Sequence, residues 1–122
     1  MEARVRNKLI QIARTTQSPI SLPVLIQEMD LGLNMDRPYD KSRLNEILYD
    51  ISMEEHENER PLLSAIVKIK TNKGQGDEFF KLCEELGMGE WRTLKNDPEF
   101  VSTQRQLCYD FWTNEENYQK FL

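Results

Sequence analysis

Two cysteines, one histidine, five glycines and five prolines are all that 122 residues hold of the types that mark staples, metal sites and loops. Cys83 and Cys108 cannot build a disulfide framework. Each falls inside a helical pattern and reads as a buried thiol. The single histidine, His56, lies in "EEHEN" and reads as a solvated side chain. A metal site needs several ligands at geometric spacing. Glu55 and Glu59 lie one turn apart, His56 faces elsewhere, and no Cys-x-x-Cys or His-Glu-x-x-His pattern occurs. Long apolar runs are missing too, and a span of about 20 such residues is needed to cross a bilayer. The stretch "MEARVRNKLIQIARTTQ" carries charges and no uninterrupted apolar core, so it is not expected to act as a signal peptide. A cytoplasmic location is the default expectation. No low-complexity segment or repeat at solenoid periods is visible.

What is present fits one globular domain. Hydrophobic residues make up 39% and charged residues 30% of the chain. A single core of this size can be stable without staples. The formal net charge is −5. That argues mildly against a general nucleic-acid coat protein, which is usually basic. The charge is also sorted along the chain. "MEEHENE" carries four glutamates from Glu54 to Glu59, whereas the stretch that follows Pro61 holds Lys68, Lys70 and Lys73 and no acid.

Periodicity divides the chain into elements. A first helix is expected from about Glu2 to Thr16, with Val5, Leu9, Ile12 and Ala13 as its apolar stripe. A very short strand, Ile20 to Leu22, leads into a densely apolar helix with Pro23 in its first turn and Gly32 as terminator. A third helix is expected to start at Asp40 as N-cap and to bury Leu44, Ile47, Leu48 and Ile51. Its acidic end opposes the helix dipole and is expected to fray before Pro61. "LLSAIVKIK" reads as a strand with Leu63, Ala65, Val67 and Ile69 on one face and Ser64, Ile66, Lys68 and Lys70 on the other. "TNKGQG" turns the chain into a helix from Asp77 to Gly87. "MGEWRTLKND" reads as a connector. Asp97 is expected to cap a helix with Pro98 at its first position and Phe100, Leu107, Cys108, Phe111 and Trp112 as packing residues. Thr113 is expected to cap a last short helix through Phe121.

The expected fold class is mainly α with a small β-sheet. The element order matches a winged-helix-like core over residues 1–88, with a helical C-terminal extension over 89–122 packed on the same domain. From Ile20 to about Gly87, "ISLPVLIQEMDLG", "LNEILYDISMEEHENERPLLSAIV" and "NKGQGDEFFKLCEELG" resemble a winged-helix module of bacterial proteins associated with HNH nucleases. The same order is similar to the DNA-binding half of alkylguanine alkyltransferases and alkyltransferase-like proteins. Those alkyltransferases carry a reactive cysteine in a Pro-Cys-His-Arg run. The matching stretch here, "ERPLLSAIV", has neither cysteine nor histidine, so their chemistry does not transfer. The resemblance implies DNA binding through Lys41, Arg43 and Asn45 on the third helix, with Lys68, Lys70 and Lys73 as contacts on a wing. It also implies a mobile-element or phage-defence setting.

Catalysis finds little support in the residues. Ser64 has no neighbouring base to activate it. Cys83 sits beside Glu84 and Glu85, whose charge disfavours a thiolate. "NKGQG" lacks the spacing and the Ser or Thr of a phosphate-binding loop. The chain is therefore expected to be a non-catalytic DNA-binding or accessory module with no cofactor and no metal. The competing expectation is a protein-interaction module without DNA binding: an acidic adaptor, an inhibitor or a nucleic-acid mimic. Tyr39, Tyr49, Trp91, Trp112 and Tyr118 are candidate anchors. The sequence leaves the oligomeric state open, a homodimer included. A continuous positive strip from Arg43 to Lys68 favours the first expectation, and an acidic or apolar patch favours the second.

Overall fold

The computed structural model describes residues 2–34, 36–68 and 75–122. It is mainly helical with a small sheet, as expected. Helix α1 (Glu2–Arg14) leads to strand β1 (Ile20–Ser21) and helix α2 (Leu22–Met29). Helix α3 (Pro38–Glu57) is followed by a 3-10 helix (Leu63–Ile66) and strand β2 (Val67–Lys68). Helices α4 (Asp77–Glu85), α5 (Trp91–Asn96), α6 (Phe100–Thr113) and α7 (Glu115–Phe121) complete the chain. The two strands pair in parallel, Ile20 opposite Val67 and Ser21 opposite Lys68. Among the described residues, no helix is long and apolar enough to cross a membrane. The expected wing falls largely on residues 69–74, so Lys70 and Lys73 lie outside the described residues.

The long strand expected over "LLSAIVKIK" is corrected. Among its described residues the strand is Val67 and Lys68, and Leu63 to Ile66 form a 3-10 turn whose four residues are all buried. A 3-10 helix repeats every three residues, and the side chains sort accordingly. Leu63 and Ile66 enter the main core, while Leu62 and Ala65 enter a second core with Phe79, Phe80 and Leu94. Ser64 takes the third direction, where Ser52 Oγ of α3 donates to its hydroxyl at 2.7 Å and accepts its backbone N–H at 3.1 Å. The Ala65 carbonyl accepts from Gln75 Nε2 and from Arg105 Nε, both at 2.7 Å. Strand pairing is thus replaced by bonds from three separate parts of the chain.

The main core joins both ends of the sequence. Val5, Leu9 and Ala13 of α1 pack with Leu44, Ile47 and Ile51 of α3. Cys108, Tyr109 and Trp112 of α6 belong to the same cluster. Residues 89–96, expected as a connector, contain α5, whose start is capped by Glu90 accepting from Arg92 and Thr93 backbone N–H. Lys95 of α5 reaches Asp77 of α4 at 2.6 Å, and this contact holds the Asp77 carboxyl below its ordinary value.

Several helix ends differ from expectation for local reasons. Helix α2 stops at Asp30, which takes the left-handed conformation with φ 51°, before Gly32 is reached. Helix α3 starts at Pro38 rather than beyond Asp40, because Pro38 suits a first position and Arg37 is extended before it. Asp40 instead accepts the Asn34 backbone N–H at 3.0 Å. The Asp97 carboxylate caps the turn ahead of α6 by accepting Glu99 N–H at 3.0 Å. Asn114, not Thr113, caps α7 by accepting Asn117 N–H at 3.0 Å. Gly87 does close α4 as expected, at φ 84°.

The acidic end of α3 does not fray. Arg60 N–H bonds the Glu55 carbonyl at 2.8 Å and Glu59 N–H bonds the His56 carbonyl at 3.0 Å. These two bonds make a Schellman turn, in which glycine usually occupies the left-handed position. Glu59 occupies it here at φ 60°, at a backbone cost of roughly 1–2 kcal/mol. The Glu55 carboxylate is fully buried between the Arg6 and Arg60 guanidinium groups. Arg6 also donates to the Phe121 carbonyl at 2.8 Å. One carboxylate therefore ties α1, α3 and the chain after it together, with α7 attached through Arg6.

Removing one member of a buried ion group leaves uncompensated charge and costs roughly 3–5 kcal/mol. Glu55→Ala should destabilise the protein by about that amount in urea unfolding followed by tryptophan fluorescence. The triple change Arg6→Met, Glu55→Leu, Arg60→Met should recover much of the loss. A Glu55→Ala cost below about 1 kcal/mol, the value of a surface pair, would mean that the group is not the tie described.

Candidate functional site

The residues expected to touch nucleic acid are dispersed. Positions four apart share a helix face and positions two apart do not. Lys41 and Asn45 accordingly line one cleft of about 320 Å³ between α3 and α4, together with Tyr49, Asp77 and Glu78. Arg43 lies off that cleft and pairs with Glu46 at 3.6 Å. Lys68 lines a different cleft, between α1, β1 and α2, shared with Lys8 and Glu28. The structure therefore brings Lys41 and Asn45 into one cleft, which Arg43 and Lys68 do not line.

The acids are not uniformly turned away either. Asp77 and Glu78 face Lys41 across the α3–α4 cleft. Tyr49, one turn beyond Asn45, donates its hydroxyl to Glu85 at 2.9 Å. That bond, ahead of the nearby negative charge, holds the phenol above its ordinary value.

A larger open concavity lies elsewhere. A groove of about 1230 Å³ runs between the end of α3, the Arg60–Leu62 return and α6. Its apolar lining includes Pro61, Met88, Phe100, Leu107 and Phe111. Leu107, expected to be a packing residue, is 47% exposed, which corrects that expectation. Phe100, Gln104, Leu107 and Phe111 recur at four-, three- and four-residue steps and all line the groove. The opposite face of α6 carries Cys108, Tyr109 and Trp112 into the main core. On the groove side of this helix Leu107 is exposed, while Phe100 packs against the second core and Phe111 against the main core, both half-buried. The rim of the groove holds His56, Glu57, Glu59 and Asp110.

The aromatic candidates divide. Trp112 is wholly buried, Tyr39 is 80% exposed, and Trp91 and Tyr118 are half-buried. Trp91 is flanked by Arg92 at 4.5 Å and Lys81 at 5.2 Å from its ring. The inner face of α6 also carries buried polar atoms without hydrogen-bond partners: Arg105 Nη2, Tyr109 Oη and Trp112 Nε1. None of them lines the three concavities above.

Nucleophilic chemistry gains nothing from the thiols. Cys83 and Cys108 are both buried. Burial pushes each thiol up to about 12, with the Glu55 charge adding to the effect at Cys108. Cys108 donates its S–H to the Leu62 carbonyl at 3.1 Å. Among the described residues, no three His, Cys, Asp or Glu side chains converge as a metal site requires.

No protein-family model matches the chain, and neither a curated protein nor a solved structure does.

The raised thiols make a measurable statement. Both thiols should resist a disulfide reagent at pH 8 in native protein and react at once in urea. The sign for stability follows. Protonated thiols contribute fully below their ordinary value of 9.0, and the contribution is lost as pH climbs through about 12. Fast native labelling of either cysteine at pH 8 would contradict its burial.

Proposed function

We propose that this chain is a non-catalytic protein-interaction module. The observation that carries the reading is the groove beside α6, where exposed Leu107 stands between half-buried Phe100 and Phe111 next to an acidic rim. Scattered exposed apolar residues need no explanation, but a contiguous apolar groove with a polar border is a common mark of an interaction surface. The net charge of −5 fits a partner that is not itself an anionic polymer.

DNA binding is the second reading, favoured by the shared cleft of Lys41 and Asn45. Asparagine suits adenine and lysine suits guanine or phosphate. That same cleft carries Asp77 and Glu78, and Arg43 is engaged by Glu46. Phosphates approaching there meet carboxylates at short range, which weakens the attraction that drives non-specific binding.

The two readings part in one titration. A labelled mixed-sequence duplex should show no saturable rise in fluorescence anisotropy with the parent protein, even at low salt, where phosphate attraction is strongest. Saturable binding that weakens with salt, and weakens further in Lys41→Glu, Arg43→Glu and Lys68→Glu, would reverse the ranking in favour of DNA.

A further inference from the structure

We infer that the groove between α3 and α6 receives a basic amphipathic helix from a protein partner, a step that rests on the interaction-module reading. Its apolar stripe lies on Met88, Phe100, Leu107 and Phe111, and its lysines or arginines face Glu57, Glu59 and Asp110.

Charge sets the sign of the partner. Glu57, Glu59 and Asp110 are exposed on the rim. Among the described residues lining the groove, the cation is Arg60, whose side chain is 10% exposed and paired with Glu55. Glu55 carries one negative charge between two guanidinium groups, so Arg60 is only partly offset, but it is turned inward and the three exposed carboxylates outnumber it on the rim. Cationic side chains beside an apolar stripe complement that border, whereas an acidic segment is repelled.

Shape sets the form of the partner. The groove is walled by helix α6, the end of helix α3 and a tight return, all presenting side chains. Strand addition needs an open row of backbone groups, which these walls do not offer. A helix laid in a groove is instead read by side chains at three- and four-residue steps. The steps of Phe100, Gln104, Leu107 and Phe111 supply the matching ridge.

The return itself bears on the rim. Glu59 keeps a left-handed backbone that glycine adopts more readily. A carboxylate is therefore held on the rim where the turn alone favours glycine. Glu59→Gly separates the two roles, because it relieves the backbone while deleting the charge.

The test is selection from a display library of helix-forming peptides against the full chain, followed by anisotropy of the enriched peptides. Enriched sequences should carry lysine or arginine beside an apolar stripe and bind more weakly as salt rises. Leu107→Asp, an exposed substitution, should weaken them about tenfold. Glu59→Gly should weaken them about threefold while melting no lower than the parent protein. Enriched peptides that are acidic or uncharged, yet lost on Leu107→Asp, would overturn the basic partner and leave the interaction module standing. Binding indifferent to Leu107→Asp would overturn the groove as the site. Failure to enrich any peptide, together with saturable duplex binding, would overturn the module reading as well.

Discussion

The buried carboxylate of Glu55 is the constraint on which the arrangement turns. A charge cannot sit in a protein interior without partners, because desolvation costs several kcal/mol or more. Two guanidinium groups satisfy it, one from α1 and one from the residue that leaves α3. Their remaining faces are packed against aromatics, Arg6 over Trp112 at 5.5 Å and Arg60 over Phe121 at 5.6 Å. Arg6 also reaches the last turn of α7 through the Phe121 carbonyl. Segments from both ends of the sequence are thus committed to one group. The glutamate run that looks unfavourable for the helix dipole contains the residue that fixes where the helix stops.

Downstream of that point, the 3-10 turn distributes the core. Its threefold period sends successive side chains to the main core, to α3 and to the second core under α4 and α5. A strand could serve only two sides. The apolar pair and triplet Leu62–Leu63 and Ala65–Ile66–Val67 already conflict with alternation, since Ile66 must then share a polar face with Ser64 and Lys68. That misfit was legible in the sequence, and its resolution was not. Choosing the 3-10 turn depends on Ser52, Gln75 and Arg105 arriving from elsewhere to satisfy its backbone and hydroxyl.

Elements with strong local signals were legible. The stripe Val5, Leu9, Ile12, Ala13 and the faces of α3 and α4 were readable because helical spacing depends only on near neighbours. The short strand at Ile20 and the turn at Gly87 follow from equally local rules. What escaped was non-local. Glu55 is indistinguishable in sequence from Glu54 and Glu57 until Arg6 and Arg60 are brought to it. Leu107 counts as core by composition, yet α6 turns it outward because Cys108 and Trp112 already fill the inner face. That Arg43 lies off the cleft shared by Lys41 and Asn45 was also readable, since a helix brings positions four apart together and separates positions two apart.

The groove and the buried ion group are linked by Arg60. Its backbone N–H closes the Schellman turn on the Glu55 carbonyl, and its side chain closes the ion pair on the Glu55 carboxylate. In such turns the contact between these two positions is frequently hydrophobic; here it is ionic. Glu59, held between them, has its backbone direction set by the same two closures. The acidic rim is therefore anchored to a buried ion group rather than to a loose loop. A surface built in this way presents its charges with little ordering left to accomplish on contact, which is the condition under which a small groove gains most from a partner. Arg60 is turned inward onto Glu55 by the same closure, so the contact that stabilises the fold also leaves the exposed carboxylates of Glu57, Glu59 and Asp110 to set the charge of the rim.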